Sequence, residues 1–349
     1  MLPRNLLAIA AVLAPSFASL SPPPAAARDL TIVERGTTMA QATGKVFVAP
    51  FTAATGIAVS QQSWDGSANA LPAALKAAGT SWDLIQVNGD ELLIGCGGGQ
   101  FEKLDWSQIG GKDHYLPQAV SDCGVGFTVT NLTLAWDRDK LAGTPTWADF
   151  WDVAKFPAKR GLRRGVVGNL EIALMADGVA PQDVYKVLAT SDGVDRAFRK
   201  LDQLKPYIVW WRTEAEAGKI LGSGDVLMTS APSDEIVREM QTTHRNFGIQ
   251  WSQSLYDVLS WAVVRGSPNL RDATQFLYFA GTPAIEGRLV ELFGLGGLAK
   301  GANDGLPANL LAISPTSPAN LKSGLQIDAG FWHDNLAKLR PRFEAWLGH

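Results

Sequence analysis

The sequence has little of what marks several classes of protein. Its 349 residues include two Cys and four His, too few for a metal-rich protein. Charged residues make up only 19%, and 34 acidic against 31 basic residues leave a net charge of −3, so no basic excess indicates a nucleic-acid partner. With 46% hydrophobic residues the chain is too apolar to be disordered. A chain of this length favours two domains over one.

Motifs of catalysis and phosphate binding are also missing. The sequence contains neither a GxSxG nucleophile elbow nor an HExxH zinc motif. The run Gly95–Gly99 does not complete a GxGxxG fingerprint because position 100 is Gln, so a turn is the better interpretation. Catalytic residues can still assemble from distant positions, so a secreted hydrolase stays open as an alternative from another functional class.

Residues 1–27 have the layout of a secretory signal peptide. Arg4 is the only charged residue before Arg28, an apolar run extends from Leu6 to Leu13, and small residues, Ala25–Ala27, close the segment. A membrane anchor needs about 18–20 apolar residues, and Pro15 interrupts this run. We therefore expect cleavage at the end of the segment, export to the periplasm and no membrane insertion of the mature chain.

The two cysteines, Cys96 and Cys123, both lie in the mature chain. An exported protein folds where disulfides persist. A bridge between them would close a loop of about 27 residues and stabilise the fold by ~3–4 kcal/mol. Two buried free thiols are the alternative, and residue spacing alone leaves both open.

Strand-like and helix-like segments alternate along the mature chain. Asp29–Glu34, Ile57–Gln61 and Trp82–Val87 are β-type runs, and the apolar residues of 71–78 have helical spacing. This order predicts an α/β fold with helices on the faces of a parallel sheet. A long strand-like run over 126–136 and a later one over 259–264 indicate two β crossings between two lobes. A ligand is then expected in the cleft between the lobes, near the strand ends.

Polar residues at or near the predicted strand ends are the candidates for ligand contact. Both signs of charge occur among them, which predicts a polar cleft that holds cationic and anionic groups. For each residue alone, a solvated surface position or an internal ion pair is the alternative. The candidates are Arg35, Asn88, Asp90, Glu171, Arg212, Tyr256 and Asp257.

A series of short motifs carries a resemblance to a known family. They are Phe51–Val59, Trp82–Ile85, Leu104–Trp106, Asp122–Gly126, Thr146–Asp152, Phe156–Gly161, Glu171 with Met175 and Ala176, Ile208–Trp211 and Trp261–Asn269. In this order and spacing the mature chain resembles the periplasmic solute-binding proteins of ABC importers, in the spermidine/putrescine-binding branch. The resemblance covers the chain from Asp29 to the C-terminus.

The resemblance implies a type II periplasmic-binding-protein fold, in which two α/β lobes joined by β crossings close on a solute. It implies a monomer that delivers this solute to a membrane permease, with no catalysis, cofactor or metal. It also favours a Cys96–Cys123 disulfide, because one subgroup carries cysteines at similar places. The predicted division is residues 28–131 with 262–310 for lobe 1, and 132–261 with 311–349, including C-terminal helices, for lobe 2.

The pocket departs from the polyamine-binding pattern. Where polyamine binders usually have an aromatic residue after the first strand, this chain has Glu34-Arg35-Gly36, and Leu259 takes the place of an Asp in the last crossing. Glu171 matches a ligand-binding carboxylate of the family, whereas Tyr256 and Asp257 are shifted in register.

These departures change the expected ligand. A polycation needs carboxylates and an aromatic cage, whereas an Arg fork suits a carboxylate. We expect a small amino compound, zwitterionic or anionic, with a polyamine as the alternative. Arg35 and Arg212 are predicted to bind the anionic group, Glu171 and Asp257 an ammonium, and Tyr256 the apolar part. Arg212 has an alternative, an internal pairing with Glu214 or Glu216.

Overall fold

The computed structural model describes residues 28–348 except 65 and 67, with the backbone alone at 37 and 38. The predicted signal peptide lies outside the described residues. The strands are β1 (Leu30–Glu34), β2 (Val59–Ser63), β3 (Leu84–Val87), β4 (Gly124–Asp137), β5 (Arg160–Arg163), β6 (Ile208–Trp211), β7 (Met228–Ala231), β8 (Phe247–Val263) and β9 (Leu325–Gln326).

Helices separate most of these strands, as the alternating pattern predicts. Between α1 and α2 the chain forms a π-helical turn, Gly44–Val48. The helices are α1 (Gly36–Thr43), α2 (Ala49–Thr55), α3 (Leu71–Ala78), α4 (Gly89–Gly97), α5 (Trp147–Trp151), α6 (Asn169–Ala176), α7 (Val184–Leu188), α8 (Ser191–Leu204), α9 (Glu214–Gly222), α10 (Ser233–Thr243), α11 (Leu270–Ala280), α12 (Pro283–Glu286), α13 (Arg288–Phe293), α14 (Ala308–Ile313), α15 (Pro318–Ser323) and α16 (Ala329–Gly348).

Local side-chain chemistry sets several helix ends. At the start of α5, Thr146 Oγ1 accepts a hydrogen bond from the Asp149 N–H at 3.2 Å, and the Asp149 carboxylate accepts one from the Thr146 N–H at 3.0 Å. This reciprocal capping box satisfies N–H groups that the first helical turn leaves unpaired. At the other end of a helix, Gly56 follows α2 with a φ of 75°, the left-handed conformation that glycine adopts most readily.

One sheet of nine strands runs through the described part of the chain in the order β2-β1-β3-β8-β4-β7-β5-β6, with β9 beside β8. β1 is parallel to β2 and β3, and β5 is parallel to β6 and β7. The antiparallel strands β4 and β8, 14 and 17 residues long, join the two parallel groups. They are the two predicted β crossings between α/β lobes.

The lobes have separate hydrophobic cores. In the first, Trp261 stacks on Phe127 with ring centroids 4.5 Å apart. Along β4 the buried side chains change from the first core at Val129 to the second at Leu132, close to the predicted boundary between 131 and 132. Along β8 the change comes between 255 and 256, earlier in the chain than the predicted boundary at 261/262, because Tyr256, Val258, Leu259 and Trp261 pack into the first core.

Cys96 and Cys123 form a disulfide with a Cα–Cα distance of 5.7 Å. The bond ties the C-terminal end of α4 to the chain just before β4, and it confirms the pairing that the resemblance favours. The free-thiol alternative is wrong.

The described residues lack a membrane-spanning helix and a metal-binding cluster. None of their helices has the length and the apolar composition that crossing a bilayer requires. Nor do their His, Cys, Asp and Glu side chains form a group of three or more able to hold a metal ion.

Candidate functional site

A cavity of about 600 Å³ lies between the lobes, where β4 and β8 cross. Its base is residues 129–132 of β4 with Leu255 and Leu259 of β8. This volume suits a small organic solute. The first lobe adds Arg35, Gly36, Met39, Asn88 and Leu295, and the rest of the lining is Arg163, Trp211, Thr213, Glu214, Ala215, Pro232, Asp234, Glu235, Arg238 and Ile327.

The cavity lies at the carboxyl ends of parallel strands from both lobes. Arg35 follows β1 and Asn88 follows β3, whereas Arg163 and Trp211 are the last residues of β5 and β6. Asp234 comes three residues after the end of β7. Open α/β sheets place their ligands at such strand ends, so the topology brings these side chains around one cleft.

On the first-lobe wall, three contacts with described residues hold the Arg35 side chain in place. Its Nη1 lies 2.5 Å from Oε1 of Glu91, its Nη2 donates to the Gly66 carbonyl at 3.2 Å, and its guanidinium lies 5.5 Å from the centroid of the Trp64 ring. The guanidinium has five N–H donors, and these two hydrogen bonds use only part of that capacity. Arg35 can therefore bind a ligand carboxylate from a preset position.

On the second-lobe wall, Asp234 lies at the start of α10. Burial, reinforced by the negative charges of Glu214 and Glu235, raises its pKa to about 7. Among the described residues, no other residue donates a hydrogen bond to this carboxylate, while the neighbouring Glu235 is paired with Arg238 at 2.9 Å. Asp234 is thus an ionisable acceptor in the cleft wall without a charged partner in direct contact.

Opposite charges balance in the lining of this cavity. The described lining contains the guanidinium groups of Arg35, Arg163 and Arg238 and the carboxyl groups of Glu214, Asp234 and Glu235. Between them lie apolar side chains, which include Met39, Leu255, Leu295 and the Trp211 ring. Such a lining can hold a molecule that carries both an anionic and a cationic group on a short apolar spacer.

Of the seven residues predicted from the sequence, Arg35 and Asn88 line this cavity. Asp90 does not, and its carboxylate accepts the Glu91 N–H at 2.9 Å. Tyr256 is buried among first-lobe core residues. Arg212 is exposed and lies outside this lining, and its backbone N–H donates to Glu216 at 2.7 Å.

Asp257 lies at a second, smaller cavity of about 490 Å³. Its carboxylate accepts the Gly89 N–H at 3.3 Å and the Val258 N–H at 2.8 Å. Burial raises its pKa to about 7, against the lowering effect of the Gly89 N–H. The structure therefore separates Asp257 from the lining that contains Arg35.

Glu171 is 0% exposed and lies inside the second lobe. One carboxylate oxygen accepts hydrogen bonds from Trp332 Nε1 at 2.7 Å and from the Tyr185 hydroxyl at 3.0 Å, and the other accepts the Gly168 N–H at 2.9 Å. All three donors are protein groups, and in this structure Glu171 does not line the cavity that contains Arg35.

Sequence reasoning missed Arg163 and Asp234. Arg163 belongs to a small basic cluster with Arg160 and Arg164, and by composition such a cluster is typical of a solvated turn. The structure separates its members: Arg160 is buried and donates to the Phe150 carbonyl at 2.7 Å, whereas Arg164 bonds Glu344 on the surface. The strand-end rule that selected Arg35 could also have selected Asp234, which follows the segment Thr229–Ala231.

Comparisons with known proteins agree with this geometry. Residues 47–312 match the family model described as bacterial extracellular solute-binding protein. A gamma-aminobutyric acid-binding protein of Pseudomonas aeruginosa is 41% identical over 323 residues, which cover 92% of each chain. Among solved structures, an ABC transporter substrate-binding protein from Bradyrhizobium japonicum is 27% identical with a TM-score of 0.81, covering 91% of this chain and 99% of the other.

A second solved structure, the Atu4243-GABA receptor, is also 27% identical with a TM-score of 0.81, and the match covers 92% of this chain and 98% of that one. These names describe binding proteins and receptors, not enzymes. The match of the family model spans more than half of the chain, and the Pseudomonas relative covers nearly all of it. The chain therefore belongs to the bacterial extracellular solute-binding protein family.

Proposed function

We propose that this protein captures a small ω-amino acid, with γ-aminobutyric acid (GABA) as the first candidate, and delivers it to the permease of an ABC importer. The observation that carries the proposal is the cleft lining, in which three Arg side chains and three carboxyl groups face one cavity across apolar side chains. The 41% identical relative, named as a GABA-binding protein, supports the same ligand class.

The charges suggest one orientation of the ligand. Its carboxylate lies toward Arg35 and Asn88, where a fixed guanidinium offers planar donors. Its ammonium lies toward Asp234, whose carboxylate gains the cationic partner that the described residues do not supply in direct contact. The methylene groups then lie against Leu255, Leu295 and the rest of the apolar lining.

A diamine such as putrescine fits the lining less well. It has no anionic group for Arg35 and would place a second ammonium near guanidinium groups, where like charges repel. At this end of the cleft the carboxylate beside Arg35 is that of Glu91, which is already paired with the guanidinium and lies outside the cavity lining.

Export and delivery complete the proposal. The predicted signal peptide directs the mature chain to the periplasm, where a monomer would meet its solute. Because β4 and β8 are the long connections between two separately packed lobes, hinge closure on the ligand is the expected motion. The permease would recognise the closed form.

Calorimetric titration of the mature chain, residues 28–349, tests this function. We expect GABA to bind with a Kd at least about 100-fold below that of putrescine or butyrate, a difference of ~2.7 kcal/mol in binding free energy. Putrescine lacks the carboxylate of GABA, and butyrate lacks its ammonium. Tighter binding of putrescine would overturn the proposal. The hydrolase alternative predicts cleavage of an amide or ester bond, and proton NMR of N-acetyl-GABA incubated with the protein should show no hydrolysis.

A further inference from the structure

Glu91 lies behind the first-lobe wall of the cleft and joins two residues that line it. Oε1 of Glu91 is 2.5 Å from Arg35 Nη1, and Oε2 accepts the backbone N–H of Asn88 at 2.9 Å. Arg35 begins the connection from β1 to α1, whereas Asn88 caps α4. One carboxylate therefore fixes two separate elements relative to each other.

Burial keeps Glu91 from acting as a ligand group itself. Its side chain is 1% exposed, and it is not part of the cavity lining. Its neighbour Arg35 is 25% exposed and does line the cavity. Whatever Glu91 contributes to binding must therefore act through Arg35 and Asn88.

The orientation of Arg35 depends on this contact. Without Glu91, the remaining contacts of its guanidinium in the described residues are one hydrogen bond of 3.2 Å to the Gly66 carbonyl and the face of the Trp64 ring. With only these contacts the Arg35 side chain would sample several rotamers. Ligand binding would then have to order it again, and this loss of conformational entropy lowers the affinity.

We propose that Glu91 is a positioning residue for ligand binding, which holds the Arg35 guanidinium and the Asn88 backbone in the geometry that receives the ligand carboxylate. The proposal rests on the proposed function for the identity of that ligand. It assigns no contact between Glu91 and the ligand.

The first test uses ligand-free protein. The Arg35 Nη signals in a nitrogen–proton NMR spectrum are identified by their absence from the Arg35→Lys variant, and the Nη1 protons report on the contact with Glu91. In Glu91→Gln the amide still offers an oxygen to the Asn88 N–H, but the ion pair is lost. We expect exchange of the Arg35 Nη1 protons with solvent to become about tenfold faster, the loss of ~1.4 kcal/mol of protection. An unchanged signal overturns the proposal.

The second test is a double-mutant cycle on the Kd for GABA. We expect Glu91→Gln alone to raise the Kd about tenfold. In an Arg35→Ala background the same change should alter the Kd by less than about twofold, because Glu91 then has no guanidinium to position. An equal loss in both backgrounds would show a general structural role instead, and no loss in either would remove Glu91 from binding.

Glu344→Gln, which breaks an exposed ion pair with Arg164 in the other lobe, is the matched control and should leave the Kd unchanged. If Glu91→Gln does not fold, Glu91→Asp keeps the charge on a shorter side chain and should show a smaller change in both tests. If wild-type protein does not bind GABA, the proposed function fails, and the ligand-free NMR test still decides whether Glu91 holds Arg35.

Discussion

The indole nitrogen of Trp332 donates a hydrogen bond of 2.7 Å to Oε1 of Glu171, across 161 positions of the chain. The Tyr185 hydroxyl donates to the same oxygen. Because Trp332 belongs to α16 and Glu171 to α6, this contact fastens the C-terminal helix to the interior of the second lobe. Glu171 thus links two helices of the second lobe in this structure.

Replacing Glu171 by Ala should therefore lower stability and leave affinity alone. The change leaves three buried donors without their acceptor, and we expect the free energy of unfolding to fall by ~3 kcal/mol. Urea denaturation followed by tryptophan fluorescence measures the loss. An exposed glutamate, Glu291→Ala, should cost less than about 0.5 kcal/mol. Normal stability combined with lost GABA binding would contradict this placement of Glu171.

Asp234 should make GABA binding depend on pH. Its pKa of about 7 in the free protein means that it is largely protonated at pH 5.5, whereas a bound ammonium needs the carboxylate. We expect the affinity to fall by up to about tenfold for each pH unit below 7. In the same range, ligand binding should release a proton from Asp234. Calorimetry in buffers of different ionisation enthalpy measures both effects.

Two variants separate this effect from other titrations. Asp234→Asn should bind GABA weakly at every pH and lose the pH dependence. Asp257, whose pKa is also about 7, lies at the second cavity of about 490 Å³. Asp257→Asn should therefore keep the pH dependence of GABA binding. If the affinity of Asp234→Asn for GABA fell with pH as steeply as that of wild type, another group would be the one that titrates.

The raised pKa of Asp234 also predicts a stability trend in the ligand-free protein. Between the ordinary pKa of 3.8 and about 7, the folded state binds the proton more tightly than the unfolded state. The contribution of Asp234 to the free energy of unfolding therefore decreases as pH rises through this window and is constant above it. Relative to wild type, Asp234→Asn should gain stability from pH 4 to 7. Melting temperatures that differ by a constant amount across this range would contradict the assignment.

Much of the fold was accessible from the sequence because periodic patterns report local structure. The segment over 71–78 has helical spacing and forms α3, and the strand-like run over 126–136 lies within β4. The predicted strand over 259–264 is only the end of β8, which begins at Phe247. Its earlier part, with Gln250, Ser252 and Gln253, lacks a simple apolar pattern, and its strand structure depends on pairing with β4.

The site was harder to predict than the fold. Position relative to a strand end selected Arg35 and Asn88, which line the cavity in this structure because the topology places both strand ends there. It could not show that Glu171 points inward, because that depends on Trp332 and Tyr185, which are distant in sequence or on another helix. Nor could it show that Arg163, and not Arg160 or Arg164, reaches the cleft. That choice depends on tertiary contacts, since Arg160 is bound to the Phe150 carbonyl and Arg164 to Glu344.

The Cys96–Cys123 disulfide should contribute to stability through the unfolded state. It closes a loop with a sequence separation of 27, for which the chain-entropy model gives ~3.5 kcal/mol. The Cys96→Ala, Cys123→Ala double variant should show about this loss in urea denaturation. Wild type should show a similar loss after reduction, whereas the double variant should not respond to reductant. A double variant as stable as wild type would contradict the prediction.

Arg163 and Arg212 form a matched pair for testing the second-lobe wall. Both are exposed arginines that follow or end a strand of the same parallel group, but only Arg163 lines the cleft in the described structure. The Arg163 guanidinium adds positive potential to the site. Arg212 is not part of the cavity lining, and its backbone N–H is bound to Glu216. Arg163→Gln should raise the Kd for GABA about tenfold, which is ~1.4 kcal/mol, and should raise that for butyrate as well, because both ligands carry a carboxylate. Arg212→Gln should leave both constants within about twofold. The reverse ranking, measured by the same calorimetric titration, would restore Arg212 to the site and show that the closed, ligand-bound lobe presents a different face to the solute.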